Sequence, residues 1–311
     1  MTATTHCALS GRGLVAFEGA DARAFLNGQL TCDVSGLAPD GSTYGAYCTP
    51  KGRVLATVLL WSTPAGYLMQ VPRALCEPVR KRLSMYILRS KVKASDVSAA
   101  HAQYGVAGPD AAALVAQIAG AVPQRPHGVA GGDRAMALRL PAERYLLVVP
   151  REHAAAASEA LAAASLPEPE SWWDGLDIAA GIASVVPETQ EQFVPQMLNL
   201  DAVGGVSFNK GCYPGQEIVA RMHFLGRLKE RMVRARVSGP VAPRPGDKVY
   251  GVDLGAQAAG MIANVTPARD GGYDVLAVVQ LSSVAAGPVR LGASDGPELT
   301  IEKLPYALPA K

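Results

Sequence analysis

Asn209-Lys210-Gly211-Cys212-Tyr213-Pro214-Gly215-Gln216-Glu217-Ile218-Val219-Ala220-Arg221 is the stretch on which the reading of this chain turns. It sets a lone cysteine two residues after a lysine and just ahead of a helical pattern. Pro214 suits a first helical position, where its missing N–H costs nothing. Glu217 and Arg221 stand four apart with the acid first, the order that braces a helix face. Gly226 has the freedom to end that helix in a left-handed conformation. The neighbouring ammonium and the helix N-terminus both favour thiolate over thiol at Cys212, the form that attacks electrophiles and binds soft metals. A second reading stands beside this one, because cysteine is among the most buried residue types and often serves as a small hydrophobe. Gly211 and Gly215 can likewise be turn residues and nothing more. Thiol, ammonium, phenol, amide and carboxylate crowded between Lys210 and Glu217 favour chemistry.

Around this motif the chain is an ordinary globular one. Its 311 residues suffice for about two or three domains, and 49% hydrophobic with 18% charged residues argues against disorder. A net charge of +2 does not announce a nucleic-acid binder. The best apolar run, Val54 to Trp61, is far short of the roughly 18 residues that span a bilayer and reads as a buried strand. Met1-Thr2-Ala3-Thr4-Thr5-His6 has neither a basic nor an apolar leader region, so a soluble, cytoplasmic protein with no membrane partner is expected. Cys7, Cys32, Cys48, Cys76 and Cys212 include no Cys-x-x-Cys pair, and the histidines are scattered; no disulfide framework and no intrinsic metal site are expected.

Periodicity indicates a mixture of helices and strands up to about residue 225. Gly19 to Asn27 reads as a short helix. Thr43 to Thr49, Arg53 to Trp61 and Tyr67 to Val71 read as strands, with Pro50-Lys51-Gly52 turning between the first two. Ala135 to Leu140 and Tyr145 to Val149 form a hairpin pattern, and an alanine-rich helix follows from about Arg151 to Ala164. Ser171 has the chemistry of an N-cap for a helix carrying Trp172, Trp173, Leu176 and Ile178. After Gly226, short strand patterns alternate with turn signals, as in a small β-barrel or sandwich. The domains expected are therefore 1–225 and 226–311.

Pro187-Glu188-Thr189, Phe193-Val194-Pro195-Gln196, Asn199-Leu200-Asp201 and Gly205-Val206-Ser207-Phe208, joined to Lys210 through Arg221, closely resemble the YgfZ-type family of folate-binding proteins, relatives of the glycine-cleavage T-protein. Gly19 to Asp33 and Lys51-Gly52-Arg53 look like the same family. The family motif is Lys-Gly-Cys-Tyr-x-Gly-Gln-Glu, with Pro214 in its variable slot. The resemblance implies an α+β fold, in which a T-protein-like folate-binding core of two interwoven α+β subdomains is followed by a C-terminal small β-barrel. It also implies tetrahydrofolate or a one-carbon derivative as cofactor. The implied role is iron–sulfur cluster assembly or repair in client enzymes, linked to thiomethylation of tRNA by radical enzymes. The T-protein relatives carry adjacent aspartates after a comparable turn; here Ala56 and Thr57 fill those slots, and neither holds charge or moves a proton at neutral pH. Aminomethyl transfer is therefore not expected.

On this reading Cys212 is the reactive or transiently ligating thiol and Lys210 supplies positive potential. Gly211, Tyr213, Gly215, Gln216, Glu217 and Arg221 support the loop and helix. For the folate, Asp177 is the candidate at the pterin end, with Arg53 and Trp172 as further contacts; each also has an ordinary structural reading. Two alternatives stay open: a folate-dependent one-carbon transferase or oxidoreductase, and an RNA-binding module. For the latter, Arg221, Arg227, Lys229, Arg231, Arg234 and Arg236 form a basic stretch in which a β-bulge near Met232-Val233 would align the arginines. Weak tRNA contact through Arg227, Lys229, Arg231, Arg234 and Arg236 competes with a solvated, charge-guarded edge strand.

Overall fold

A computed structural model describes residues 3–226, 228–239 and 241–309. Among them the chain divides into two compact units that alternate along the sequence. The first comprises residues 1–27, 33–43 and 58–173, and the second residues 28–32, 44–57 and 174–311.

In the first unit a six-stranded sheet runs in the order Leu166–Pro167, Thr5–Ala8, His101–Ala107, Arg144–Pro150, Ala135–Leu140, Val129–Gly132. The expected hairpin is there, with Arg144–Pro150 antiparallel to Ala135–Leu140 and Ala142 and Glu143 taking left-handed conformations in the turn. Alternation decides its buried face: Ala135, Ala137, Tyr145, Leu147 and Val149 all point into one apolar cluster. Helices Ala111–Ala119 and Ala154–Ala164 add Leu114, Val115, Ala157 and Leu161 to it at helical spacing. Helix Glu170–Ala179 begins two residues earlier than expected, so Ser171 lies inside it. Its first turn is held by Glu170, whose carboxylate accepts from Gly11 N at 2.8 and 3.1 Å.

A five-stranded sheet, ordered Ser42–Cys48, Val54–Thr63, Gly66–Pro72, Arg12–Glu18, Lys93–Asp96, contains the two strands through which the chain passes from one unit to the other. Helix Arg73–Ser84 buries Leu75, Cys76, Val79 and Leu83 and carries Pro78 in its interior.

The second unit holds a six-stranded antiparallel sheet in the order Val289–Leu291, Lys248–Gly251, Ala258–Pro267, Tyr273–Gln280, Glu230–Val237, Leu299–Glu302. An isolated bridge between Arg290 and Glu298 brings the first and last strands back together, as a small barrel requires. Its core is Ala235, Val237, Ile262, Val275, Ala277, Val279 and their neighbours. Two expectations about Glu230–Val237 are overturned. Over Arg234–Val237 the strand is not an edge, since Leu299–Glu302 pairs with it on its second side, and its register with Tyr273–Gln280 is unbroken from Glu230↔Gln280 to Val237↔Tyr273. The register shift lies instead at Ile262/Asn264, where the Asn264 amide exchanges hydrogen bonds with the Ser184 backbone at 2.8 and 3.0 Å.

Candidate functional site

Every residue of the 210–221 motif belongs to the second unit, and so do the short segments 28–32 and 44–57 that surround it. Thr31 is the knot between these pieces. Its hydroxyl donates to Gly205 O at 2.6 Å and accepts from Ala46 N at 2.8 Å, while its carbonyl accepts from Ser207 N at 2.9 Å. One residue earlier, Leu30 bridges to Tyr47. Lys210 then closes the loop, its ammonium donating to the carbonyls of Leu30 at 2.6 Å and Cys32 at 2.7 Å and lying 5.0 Å from the centre of the Tyr213 ring. Cation–π contact and two charge-assisted hydrogen bonds fix this side chain.

Tyr213 is buried, and its hydroxyl finds no hydrogen-bond partner among the described residues. Burial, followed by the nearby Cys48 and Cys32 sulfurs, pushes its phenol up from the ordinary tyrosine range, so it stays a proton donor. Cys48 is likewise pushed up to about 12 by burial and is an inert thiol. Cys212 differs from all four other cysteines: they are buried and it is exposed. It makes no hydrogen bond or ion pair among the described residues.

The helix expected to begin at Pro214 runs Gln216–Phe224, with Gly215 as its N-cap at φ +82°. Pro214 therefore sits ahead of the cap, in a turn closed by Gln216 N donating to Tyr213 O at 3.1 Å, and Cys212 lies in the loop just before that turn. Gly215 is glycine for two reasons at once: the left-handed backbone, and the approach of another turn. A Cβ at Gly215 would stand 2.5 Å from Gly52 Cα and 2.6 Å from Thr49 O. Gly52, itself at φ +72°, is packed against Ile218 of the same helix. The Lys51-Gly52-Arg53 turn and the cysteine motif are thus two halves of one interlocked structure. Arg53 anchors that turn by donating to Gln192 O at 2.8 Å. Val219 is fully buried, and its carbonyl accepts from the Gln196 side chain at 2.6 Å. Gln216 is half-buried, whereas Glu217 and Arg221 face outward and form no ion pair with each other among the described residues. Gly211 has open space around it.

The comparisons with known proteins fall on this architecture. The family model described as the GCVT N-terminal domain matches residues 3–127. A tRNA-modifying protein YgfZ from Yersinia enterocolitica serotype O:8 / biotype 1B (strain NCTC 13174 / 8081) is 32% identical over 310 residues, covering 98% of this chain and 93% of its own. The chain belongs to the YgfZ family. A tRNA-modifying protein YgfZ from Yersinia pseudotuberculosis serotype O:1b (strain IP 31758) is 31% identical over 307 residues, with the same coverage. The glycine cleavage system aminomethyltransferase T from Bartonella henselae superposes with a TM-score of 0.79, covering 98% of this chain and 86% of that one, at 16% identity. That likeness shows a shared T-protein fold and carries no activity with it.

The remaining candidates take their places as follows. Ala56 is fully buried, and the Thr57 hydroxyl accepts from Val185 N at 3.0 Å, so these two positions serve the fold. Asp177 is half-buried on helix Glu170–Ala179 in the second unit, while Trp172, buried 6.1 Å from Trp173 between ring centres, is assigned to the first. In the basic stretch, Arg231 is engaged by Asp201 through two bonds of 2.7 and 2.9 Å, Arg234 by Glu302 at 2.7 Å, and Arg236 by Asp270. These arginines are neutralised within the fold. Lys229 is exposed, and Arg227 lies outside the described residues.

Sequence reasoning missed two functional-looking groups. Gln29, in the quoted family stretch, has a buried side-chain oxygen with no hydrogen-bond partner among the described residues. Asn199, left-handed at φ +56°, links Met232 O to the Tyr306 hydroxyl beside the Asp201–Arg231 pair. A lone amide such as Gln29, just past the helix that ends at Asn27, carries no sequence signal of orphaned burial.

Proposed function

We propose that this protein is a tetrahydrofolate-binding accessory factor for iron–sulfur cluster assembly or repair in client enzymes, among them radical enzymes that thiomethylate tRNA. Membership of a family whose named relatives are tRNA-modifying proteins supports the tRNA context. The observation that carries the reading is Cys212 itself: the exposed cysteine of the chain, on a loop pinned by the Gly52–Gly215 contact and by the Lys210 bonds. A rigidly presented, accessible sulfur suits a thiol that must meet an acceptor on another protein.

The donor set fits a reduced pterin. Gln29 Oε1 and the Tyr213 hydroxyl are buried polar atoms without hydrogen-bond partners among the described residues, and such atoms call for one. In this proposal Gln29 accepts from, and Tyr213 donates to, the pterin's amide and amine edge, with Asp177 and Arg53 as further contacts. When bound, tetrahydrofolate supplies a reduced ring able to carry a one-carbon unit. Lys210 holds the Leu30–Cys32 segment, and therefore Gln29, against the motif loop.

Rescue of client-enzyme activity in a strain lacking the protein tests the thiol. Cys212→Ala should abolish rescue, and full rescue by both Cys212→Ala and Lys210→Ala would end the chemical role. Calorimetric titration with tetrahydrofolate tests the pocket separately, and Asp177→Ala should weaken binding. Steady-state turnover of a folate one-carbon derivative by the purified protein would instead favour a transferase.

A further inference from the structure

At the C-terminal end of the motif helix the chain builds an aromatic cluster. The His223 ring stacks on Phe208 with centres 3.7 Å apart and planes 14° from parallel, and Phe224 meets His223 edge-on at 4.7 Å. Phe224 remains 67% exposed and the adjoining Leu225 84% exposed. Two residues on this segment, Arg221 and Lys229, are exposed and make no ion pair among the described residues, in contrast to Arg231, Arg234 and Arg236. From Ile218 to Lys229 the sequence contains no aspartate or glutamate. Glu217 stands one turn before Arg221 without forming an ion pair with it among the described residues, and Glu230 directly follows Lys229.

An exposed aromatic ring flanked by cations that are not held in ion pairs is what an unstacked base and its phosphates bind. We propose that Phe224, His223, Arg221 and Lys229 form a docking surface for single-stranded RNA. Phe224 stacks on a base, and the two cations track the backbone. The choice of RNA rests on the tRNA context of the proposed function. The surface belongs to the same helix that Gly215 caps, so RNA bound there lies one helix length from Cys212. A protein segment is the competing occupant, but two exposed cations without ion-pair partners among the described residues, beside an exposed aromatic ring, match a polyanion better.

The test is fluorescence anisotropy of a labelled, unstructured single-stranded RNA oligonucleotide with the purified full chain. Wild type should bind, and more weakly as salt rises. Phe224→Ala should weaken binding roughly tenfold, as loss of one stacking platform does, while Phe224→Trp should retain it. Arg221→Ala with Lys229→Ala should lower the slope of log affinity against log salt by about 1.4, two single-strand phosphate contacts' worth. Arg234→Ala, at an arginine already paired, should change little. Cys212→Ala should bind as wild type, which separates this inference from the thiol reading. Absence of salt-dependent binding by wild type, or equal binding by wild type and Phe224→Ala, overturns the proposal. Loss of client rescue by Phe224→Ala without any RNA binding by wild type would assign the surface to a protein partner and overturn it equally.

Discussion

Gly215→Ala should be far more damaging than Gly211→Ala, although the motif holds both glycines four residues apart. At Gly215 the new Cβ would meet Gly52 Cα at 2.5 Å, Gly52 N at 2.6 Å and Thr49 O at 2.6 Å, all of them backbone atoms that no rotamer change can move. Restoring ordinary contact requires the two turns to part by about 0.9 Å. The left-handed backbone at φ +82° adds about 1–2 kcal/mol for a residue with a Cβ. Overpacking adds about 1–3 kcal/mol, for a total of about 2–5 kcal/mol. Gly211 has nothing within 4 Å of its would-be Cβ and no positive φ, so alanine there should cost little. Urea denaturation measures the first effect. Alkylation by iodoacetamide measures the second, because the other four cysteines are buried and native reactivity reports Cys212 alone. Gly215→Ala should lower the midpoint and change the alkylation rate severalfold, since the loop must shift. A Gly215→Ala protein that unfolds and alkylates like wild type would refute the interlock, and so would equal losses at Gly211.

Further outcomes are expected from other groups. Lys210→Met should destabilise the protein by about 2–4 kcal/mol in the same denaturation experiment, because it strips charge-assisted donors from two carbonyls; unchanged stability with lost client rescue would make the lysine's role purely chemical. Asp201→Asn or Arg231→Met should cost about 3–5 kcal/mol, as breaking a buried ion pair does, whereas Arg234→Ala, whose pair is about one-third exposed, should cost under about 1 kcal/mol. Burial, then the neighbouring Arg125 charge, lowers the His127 pKa below its ordinary value. The unfolded chain then binds the extra proton first, so this group's stability is present above about pH 6.5 and falls away below it. Melting curves between pH 7.5 and 5.5 should show that loss, and His127→Asn, which tolerates the φ of +59°, should shrink it.

The motif was legible because its grammar is local. A lysine, a cysteine and two glycines within six residues carry the family, and the structure uses most of them within one turn of each other. Pro214 stands two positions ahead of the first helical residue, whereas the sequence pattern puts it at that residue, because the left-handed Gly215 takes the cap position and sequence pattern alone does not reveal a backbone sign. The basic strand was misread for the opposite reason. Its alternating arginines look like a guarded edge, but Asp201, Asp270 and Glu302, which neutralise them, lie 30, 34 and 68 residues away in the chain. Pairing at that separation leaves no mark on composition. The aromatic cluster escaped in the same way, since Phe208 and His223 meet only when the motif loop folds back.

The lysine of the motif rests on carbonyls made 180 and 178 residues earlier. On a ribosome adding about 5–20 residues per second, Leu30 and Cys32 wait on the order of 10–40 s for their partner to emerge. The unit that presents the sulfur therefore cannot mature stepwise behind the translating ribosome; it assembles late, when the last strands arrive. An excised polypeptide spanning 174–311 would keep every letter of the motif yet lose the two oxygens on which its lysine is seated.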